Sequence, residues 1–349
     1  MSRTLVTGAT GFIGGQLAQA LVAAGDDVTC LARRGARLDR LESLGVRIVE
    51  GDVTSPESLA AAVAQADVVY HVAGLTRARS RAEFFAVNET GVANLLEACR
   101  RLATPPVVIL ISSLSAAGPA VEGRPRTEED PPAPMSIYGR SKRAGELAAM
   151  ARAADLPITI IRPPVVLGEG DTDGLTMFHM IARSGIHLVP GWSPPQLSVV
   201  HVADLVAAIM AAARQGTRLS ANSDDRATAI SNAGPPRVDP RGYYFVAGNE
   251  QPTFADLGRL VGEAIGRRTT RVICVPSPLV WPVATCAELI GKIRGSAPIL
   301  NRDKVREALA EDWTCSPAKA IADLDFSARA SLLDRLRQTA AWYRNEGWL

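Results

Sequence analysis

The chain carries a tyrosine and a lysine at helical spacing, in the run Tyr138-Gly139-Arg140-Ser141-Lys142. Residues at i and i+4 lie on one face of a helix, so the phenol and the ammonium would be neighbours. A free tyrosine has a pKa of about 10 and is a poor base at neutral pH. A nearby ammonium favours the phenolate and lowers that pKa. The pair therefore predicts a tyrosine that moves a proton to or from a substrate oxygen.

A glycine-rich turn opens the chain. It follows the apolar stretch Arg3–Val6 and leads into the helical pattern Ile13–Ala24. A strand, a tight glycine turn and a helix N-terminus together bind the pyrophosphate of a dinucleotide, although the spacing here is GxxGxxG and not GxGxxG. The residues assigned to this part of the cofactor site are Gly8, Thr10, Gly11, Phe12, Ile13 and Gly14. With the tyrosine and lysine, the turn predicts a nicotinamide enzyme.

The end of the second predicted strand usually sets the choice of cofactor. A carboxylate there binds a ribose 2′-hydroxyl, whereas an arginine accommodates a 2′-phosphate. This chain has Arg33 and Arg34 at that point and no carboxylate. Because guanidinium groups pair bidentately with phosphate, NADP is favoured and NAD is the alternative. The structural alternative is that both arginines only solvate a loop. Asp52 and Val53, after the third strand, are predicted to contact the adenine.

Composition is typical of a globular enzyme. The 349 residues are 47% hydrophobic and 21% charged, and the net charge of +2 gives no reason to expect a nucleic-acid partner. The five cysteines are widely spaced, as in reduced cytosolic proteins, and no apolar export segment precedes the first strand, so a cytoplasmic location is expected. The four histidines show no metal-ligand spacing, so no metal site is predicted.

Short β-branched runs alternate with helical patterns in the first part of the chain. The predicted strands are Arg3–Thr7, Asp27–Leu31, Val46–Glu50, Val68–Val72, Val107–Ser112 and Ile158–Arg162. The predicted helices between them are Ile13–Ala24, Pro56–Ala64, Arg81–Leu102 and Ser136–Ala153. This alternation predicts an α/β fold with a Rossmann-type, doubly wound parallel sheet.

The rest of the chain is predicted to be mostly helical. Its helices are expected at Phe178–Ser184, Val202–Ala213, Phe254–Ile265 and Leu332–Tyr343, with few and short strands between them. We therefore predict an NAD(P)-binding domain over residues 1–165. Residues 166–349 would form a smaller substrate-binding region that also contributes elements to the core.

Two stretches depart from this plan. Residues 217–241 are rich in Ser, Asn, Asp, Gly and Pro, which predicts a long exposed loop, with a flap over the substrate pocket as the alternative. Residues 272–290 are apolar but broken by Pro276, Pro278 and Pro282. A membrane span needs about 20 uninterrupted apolar residues. This stretch predicts a packed helix pair that roofs the active site, and a shallow membrane contact is the alternative.

In these motifs the chain resembles the short-chain dehydrogenase/reductase superfamily, specifically the extended branch of NAD-dependent epimerase/dehydratase-like proteins. The resemblance covers Thr4 to about Ala213. Besides the glycine turn and the Tyr138–Lys142 run, it rests on Gly51-Asp52, His71-Val72-Ala73-Gly74, Val87-Asn88-Glu89-Thr90-Gly91, Ser112-Ser113, Arg162-Pro163-Pro164 and His201-Val202-Ala203-Asp204. The order of these motifs along the chain matches that of the family.

The resemblance implies a role for each matching residue. Tyr138 would be the acid/base, and Lys142 would also bind the nicotinamide ribose. Ser113 would hold the reacting oxygen, with Ser112 as the next choice. Asn88 would kink a helix behind the site and support a proton relay, and the alternative is a helix residue bonded only to backbone. Further cofactor contacts would come from Ala73, Gly74, Pro163 and Val165. The helices at 81–102 and 136–153 would form a homodimer interface, as in many relatives.

The reaction is less constrained than the cofactor, because this superfamily hosts dehydrogenases, reductases, epimerases and dehydratases. Sugar-nucleotide members carry an arginine just before the His-Val pair, where this chain has Leu197-Ser198-Val199-Val200. They also carry an asparagine where this chain has Val165. A pyrophosphate-bearing substrate would need such polar groups.

The same segments are similar to those of hydroxysteroid dehydrogenases, dihydroflavonol-type reductases and 2-alkyl-3-oxoacid reductases. The expected function is thus an NAD(P)-dependent oxidoreductase that interconverts a secondary alcohol and a ketone on a small apolar molecule. A nucleotide-sugar epimerase or dehydratase is the alternative. A non-catalytic dinucleotide-binding protein is a third possibility, but such proteins usually lose the tyrosine or the lysine.

Overall fold

The computed structural model describes residues 1–221, 238–293, 302–310 and 312–349. Its strands are β1 Arg3–Thr7, β2 Asp27–Ala32, β3 Arg47–Glu50, β4 Val68–His71, β5 Val107–Ile111, β6 Ile158–Arg162, β7 Val165–Leu167, β8 Ile186–Pro190, β9 Val199–His201, β10 Tyr243–Phe245 and β11 Arg271–Val275. Its helices are α1 Phe12–Ala23, α2 Asp39–Ser43, α3 Pro56–Val63, α4 Arg81–Phe85, α5 Gly91–Arg100, α6 Leu114–Ala117, α7 Ile137–Met150, α8 Thr172–Ser184, α9 Val202–Gln215, α10 Phe254–Ala264, α11 Ser277–Ile293, α12 Arg302–Ala308, α13 Ala318–Leu324 and α14 Leu332–Asn345.

Seven strands form one parallel sheet in the order β3-β2-β1-β4-β5-β6-β10. Helices α1 and α9 pack on one face of this sheet, and α3, α5 and α7 pack on the other. Burial on both faces explains why β5 and β6 are almost continuously apolar. The order reverses between β1 and β4, which is where a doubly wound sheet opens its ligand crevice. The predicted fold is confirmed.

The predicted strands of the first part lie within one residue of the observed ones. The strand that completes the sheet, β10, comes from the later region and pairs with β6. That region contributes two further small sheets, β7 with β9 and β8 with β11. The boundary at residue 165 stays a prediction.

Two predicted helical regions contain other secondary structure. The predicted helix 81–102 is interrupted by a π-helical turn, Ala86–Thr90, between α4 and α5. The predicted helix pair over 272–290 was wrong in its first part, where Arg271–Val275 forms strand β11. The β-branched pair Val272 and Ile273 favours a strand, and Pro276 separates that strand from α11.

The predicted loop 217–241 falls largely on residues 222–237, which lie outside the described residues. In its described beginning Thr217 and Ala221 are exposed, whereas Leu219 is buried. Leu219 is 5% exposed, and its N–H donates to the carbonyl oxygen of Ile158 at 2.8 Å. Within the described ranges no helix has the length and apolar character needed to cross a bilayer. Those ranges also hold no cluster of three or more potential metal ligands.

Candidate active site

The glycine turn after β1 is tight enough to require glycine at two positions. Gly8 has φ +74°, and a Cβ there would lie 2.6 Å from the backbone nitrogen of Ala73. A Cβ on Gly14 would lie 2.2 Å from the carbonyl oxygen of Gly8. Gly11 precedes α1, which has neither a side-chain cap nor an acidic residue in its first turn. The positive end of α1 is therefore open to an anion such as a pyrophosphate.

The other residues assigned to this turn lie beside that helix start. Thr10 is exposed, and Phe12 and Ile13 are half-buried against the core. The arrangement satisfies the backbone requirements of a dinucleotide site without a charged side chain at the turn.

Arg33 and Arg34 line an open cleft of about 560 Å³ beyond the end of β2, together with Asp52. Both arginines are exposed, and neither has an ion-pair partner in the described ranges. The Asp52 carboxylate accepts hydrogen bonds from the N–H and the hydroxyl of Thr54, both at 2.8 Å. The two guanidinium groups thus remain available for a phosphate on the adenosine ribose.

The side chain of Val53 is not at the cleft, where it was predicted to contact the adenine. Its side chain is 6% exposed and packs in the core, next to Gly91. Its carbonyl oxygen accepts a hydrogen bond from Nδ2 of Asn94 at 3.0 Å. The side chain of Val53 does not line the cleft, so an adenine contact would have to come from its backbone.

Asn88 fixes the loop that follows β4. Its Oδ1 accepts from the N–H of Leu75 at 2.8 Å, and its Nδ2 donates to the Leu75 carbonyl at 3.0 Å. Nδ2 also donates to the hydroxyl of Ser141 on α7 at 2.9 Å. Asn88 lies in a π-helical turn, so the helix is irregular there, and its amide is bonded to backbone and to a side chain. Its part in a proton relay stays a prediction.

Gly74 and Ala73 lie on the same loop. A Cβ on Gly74 would lie 3.1 Å from both Oδ1 of Asn88 and Nζ of Lys142. The N–H of Ala73 donates to the Thr7 hydroxyl at 3.2 Å, which ties the loop to the glycine turn. The loop therefore connects the turn on β1 with the lysine on α7.

Tyr138 and Lys142 lie in the first turns of α7. Tyr138 is half-buried, and burial raises its pKa to about 12, although the Ser113 hydroxyl beside it acts to lower it. Lys142 is 9% exposed, and its Nζ donates to the carbonyl of Ile111 at 2.6 Å. Burial lowers the pKa of Lys142 to about 8. Lys142 by itself does not lower the Tyr138 pKa as expected, because burial dominates and the lysine bonds to Ile111.

The structure distinguishes between the two serines after β5. The Ser112 hydroxyl is buried and donates to Oε1 of Glu146 at 2.5 Å. Glu146 is also paired with Arg162, through bonds of 2.8 and 2.6 Å. Ser113 instead faces Tyr138 and accepts from the N–H of Ser115 at 3.1 Å. Ser113 is therefore the serine that lies beside the tyrosine, and Ser112 is engaged with Glu146.

Pro163 and Val165 follow β6 on the same side of the sheet. The carbonyl of Pro163 accepts from the N–H of Leu114 at 2.8 Å, which holds this backbone against the residue after Ser113. Val165 is 40% exposed at the start of β7, so its side chain is available for a contact.

Helix α12 brings two acids to the start of α7 that sequence reasoning missed. The Ser136 hydroxyl donates to Oε1 of Glu307 at 2.5 Å, and the N–H of Ile137 donates to Oδ2 of Asp303 at 2.5 Å. Burial raises the pKa of Glu307, and its charge acts to raise that of Tyr138. The sequence offers only a weak signal, an acid pair at i and i+4 in an ordinary helical run.

Several known proteins are similar in sequence to this chain over most of its length. The sequence profile of the NAD dependent epimerase/dehydratase family matches residues 4–223. The ceramide reductase of Caulobacter vibrioides is 31% identical over 99% of this chain and 95% of its own length. The 2-alkyl-3-oxoalkanoate reductase of Shewanella oneidensis is 28% identical over 98% of this chain and 86% of its own length.

Solved structures show the same fold. The dTDP-glucose 4,6-dehydratase of Bacillus anthracis, in complex with NAD, superimposes with a TM-score of 0.75 at 18% identity, over 100% of this chain and 98% of that one. With the glycine turn and the tyrosine and lysine on α7, these matches assign the chain: it belongs to the NAD-dependent epimerase/dehydratase family and is an oxidoreductase of the extended short-chain dehydrogenase/reductase superfamily.

Proposed function

We propose that this chain is an NAD(P)-dependent oxidoreductase that interconverts a ketone and a secondary alcohol on an apolar substrate. One observation carries the proposal: the Ser113 hydroxyl at the end of β5 lies beside Tyr138, and Lys142 lies one helical turn further on. A carbonyl oxygen placed between Ser113 and Tyr138 would receive both a hydrogen bond and a proton.

The proton transfer follows from the pKa of each group. A nicotinamide bound there would supply the hydride, and the Tyr138 hydroxyl would donate the proton to the carbonyl oxygen. Because burial holds the Tyr138 pKa at about 12, the phenol is protonated at neutral pH and ready to act as an acid. With a pKa of about 8, Lys142 is mostly an ammonium at neutral pH and stabilises the phenolate that remains.

NADP is the proposed cofactor. The open N-terminus of α1 would hold the pyrophosphate, and Arg33 and Arg34 would bind a phosphate on the adenosine ribose. Both guanidinium groups lie without ion-pair partners at the cleft beside Asp52, as far as the described chain extends. A ribose with a free 2′-hydroxyl would leave two positive charges uncompensated there.

The proposed substrate is a ketone on a long apolar molecule. Relatives named for ceramide and for 2-alkyl-3-oxoalkanoate support this class, since their matches run over most of both chains. Where sugar-nucleotide members carry an arginine, Leu197 to Val200 are at most 9% exposed and belong to the core. That segment offers no cation to a diphosphate.

The proposed assembly is a cytoplasmic homodimer formed through α5 and α7. Leu147 on α7 is 46% exposed, which suits a helix that packs against a second copy. Cys30, Cys99 and Cys315 are buried free thiols, as expected for a reducing compartment. Sedimentation velocity of the wild type and Leu147→Glu tests the dimer.

The experiment compares Tyr138→Phe with the wild type in the reduction of a 3-oxo-ceramide by NADPH, followed by loss of nicotinamide absorbance. We expect turnover to fall by a factor of about 10²–10⁴. Tyr70→Phe is the matched control, because Tyr70 is a buried tyrosine of β4 outside the site. Unchanged turnover in Tyr138→Phe would refute the mechanism. Conversion of a UDP- or dTDP-sugar by the wild type, without reaction of the ketone, would replace the proposal with the epimerase or dehydratase alternative.

A further inference from the structure

Four large apolar side chains are exposed in one part of the molecule. They are Leu188 (46% exposed), Trp192 (74%), Ile273 (44%) and Leu279 (60%). They make up half of the eight large apolar residues that are exposed in the described ranges. Single exposed apolar residues are ordinary, but a cluster marks a contact surface. We call the outer side of β8 and β11, with Trp192 and Leu279, the β8–β11 face.

The strand register shows why these residues share a face. Ile273 is paired directly with Leu188 in the parallel β8–β11 sheet. Side chains alternate along a strand, so Leu188 points away from its neighbours His187 and Val189, which are 1% and 0% exposed. The His187 ring packs on Phe254 of α10, with 4.7 Å between ring centroids. The inner side of the β8–β11 sheet therefore packs against the rest of the protein. The described elements leave its outer side uncovered.

The two ends of the β8–β11 face differ in character. At the carboxyl ends of the strands, the N–H of Gly191 donates to the Val275 carbonyl at 2.8 Å, so Trp192 and the start of α11 emerge side by side. At the amino ends lie Arg268 and Arg271, together with Arg183 in the last turn of α8. All three arginines are exposed, and none has an acidic partner in the described ranges.

We propose that the β8–β11 face binds the surface of an anionic lipid bilayer. Trp192 and Leu279 would enter the interface between headgroups and acyl chains, where amphipathic aromatic rings are favoured. The three guanidinium groups would pair with lipid phosphates, which explains their lack of acidic partners in the fold. An anionic bilayer offers acyl chains to the apolar end of the face and phosphates to its basic end.

The β8–β11 face is close in the fold to the acid/base tyrosine. Helix α11, which begins beside Trp192, packs on α12 through Val280, Ala284 and Val305. Helix α12 in turn bonds to Ser136 and Ile137 at the start of α7. Docking would thus place the enzyme where an apolar substrate is dissolved. The binding itself does not depend on the proposed function, since it is measured without turnover.

The test is flotation of the full chain with vesicles of phosphatidylcholine, alone or mixed with phosphatidylglycerol. We expect the wild type to float with the anionic vesicles and to be released by salt. Trp192→Ser/Leu279→Ser and, separately, Arg268→Glu/Arg271→Glu should each reduce the bound fraction by about tenfold or more. Ile321→Ser is the matched control, because Ile321 is 46% exposed but lies on α13, outside the face.

Three outcomes would overturn the proposal. One is that the wild type stays unbound to both kinds of vesicle. The second is that it binds but both double variants bind equally well. The third is that the wild type does not float but forms an oligomer, and that Trp192→Ser/Leu279→Ser dissociates this oligomer. The β8–β11 face would then be an interface between copies of the chain. Turnover of a short soluble ketone should be unchanged in all of these variants, so loss of membrane binding and failure of the proposed reaction are told apart.

Discussion

The hydroxyl of Ser136 donates a 2.5 Å hydrogen bond to Glu307, 171 residues further along the chain. The same oxygen accepts from the N–H of Gly139 at 2.9 Å and so caps the helix that carries Tyr138. A carboxylate from α12 is thereby fixed one turn from the Tyr138 phenol. The position and the pKa of Tyr138 depend on a residue that lies outside the sequence motifs of the family.

Replacing Glu307 should change the pH dependence of the reaction. Burial and the charge of Glu307 both act to raise the pKa of Tyr138. Glu307→Gln keeps a hydrogen-bonding group but removes the charge, so the Tyr138 pKa should fall. Alcohol oxidation needs the phenolate, and its rate should therefore rise at lower pH than in the wild type. The measurement is kcat/KM for oxidation across alkaline pH, with exposed Glu346→Gln as control. A profile identical to that of the wild type would show that Glu307 only supports the fold.

Ser113→Ala should mainly lower turnover, whereas Ser112→Ala should mainly lower stability. Loss of the Ser113 hydroxyl removes a donor to the reacting oxygen, so kcat should fall by about 10²–10³. Because the same hydroxyl caps α6, its loss should also cost about 1 kcal/mol of unfolding free energy. Ser112→Ala leaves Glu146 with one donor fewer in a buried site and should cost about 1–3 kcal/mol of unfolding free energy, with near-normal turnover of the folded enzyme. Steady-state kinetics and urea unfolding of both variants separate the two roles. If Ser112→Ala lost turnover and Ser113→Ala kept it, Ser112 would be the serine that acts on the substrate oxygen.

The double variant Arg33→Ala/Arg34→Ala should weaken the binding of NADPH more than the binding of NADH. Each lost bond between a guanidinium and a phosphate is expected to raise KM for NADPH about tenfold or more, whereas KM for NADH should change little. Arg37→Ala is the control, because Arg37 is an exposed arginine of the same loop. An equal loss with both cofactors would assign the two arginines to the fold or to the general charge of the surface.

Glu146 should stabilise the protein above mildly acidic pH. Burial alone would raise its pKa, but the charge and hydrogen bonds of Arg162, with help from Arg143 and Ser112, lower it to about 2 from 4.5. As the pH falls below about 4.5, the unfolded carboxyl takes up its proton first, so this stabilisation is progressively lost as the pH falls towards about 2.

Glu146→Gln should therefore cost about 3–5 kcal/mol at neutral pH, because Arg162 is left buried without its counter-charge. The variant should also lose less stability than the wild type between pH 4.5 and 2. Urea unfolding at several pH values measures both effects. Equal stability of the two proteins at pH 7 would contradict the account, and exposed Glu122→Gln serves as control.

The sequence alone predicted the elements that depend only on neighbouring residues. The β-branched runs predict the parallel strands because each strand is buried on both faces. Gly8 and Gly14 predict the cofactor turn because only glycine fits those backbone positions. Tyr138 and Lys142 are neighbours through helical spacing alone. These features need no information from distant parts of the chain, and the family motifs lie within them.

The tertiary structure decided what depends on contacts between distant segments. Ser112 and Ser113 are adjacent in sequence, and only the buried Glu146 of α7 shows which of them is engaged. The strand β11 forms because it finds β8 as a partner, where the apolar pattern predicted a helix. The sequence by itself determined the parallel sheet, the glycine turn and the pairing of Tyr138 with Lys142. Burial and contacts between distant segments, which depend on the whole fold, decided the pKa values of Tyr138 and Lys142, the partner of each serine and the position of the acid from α12.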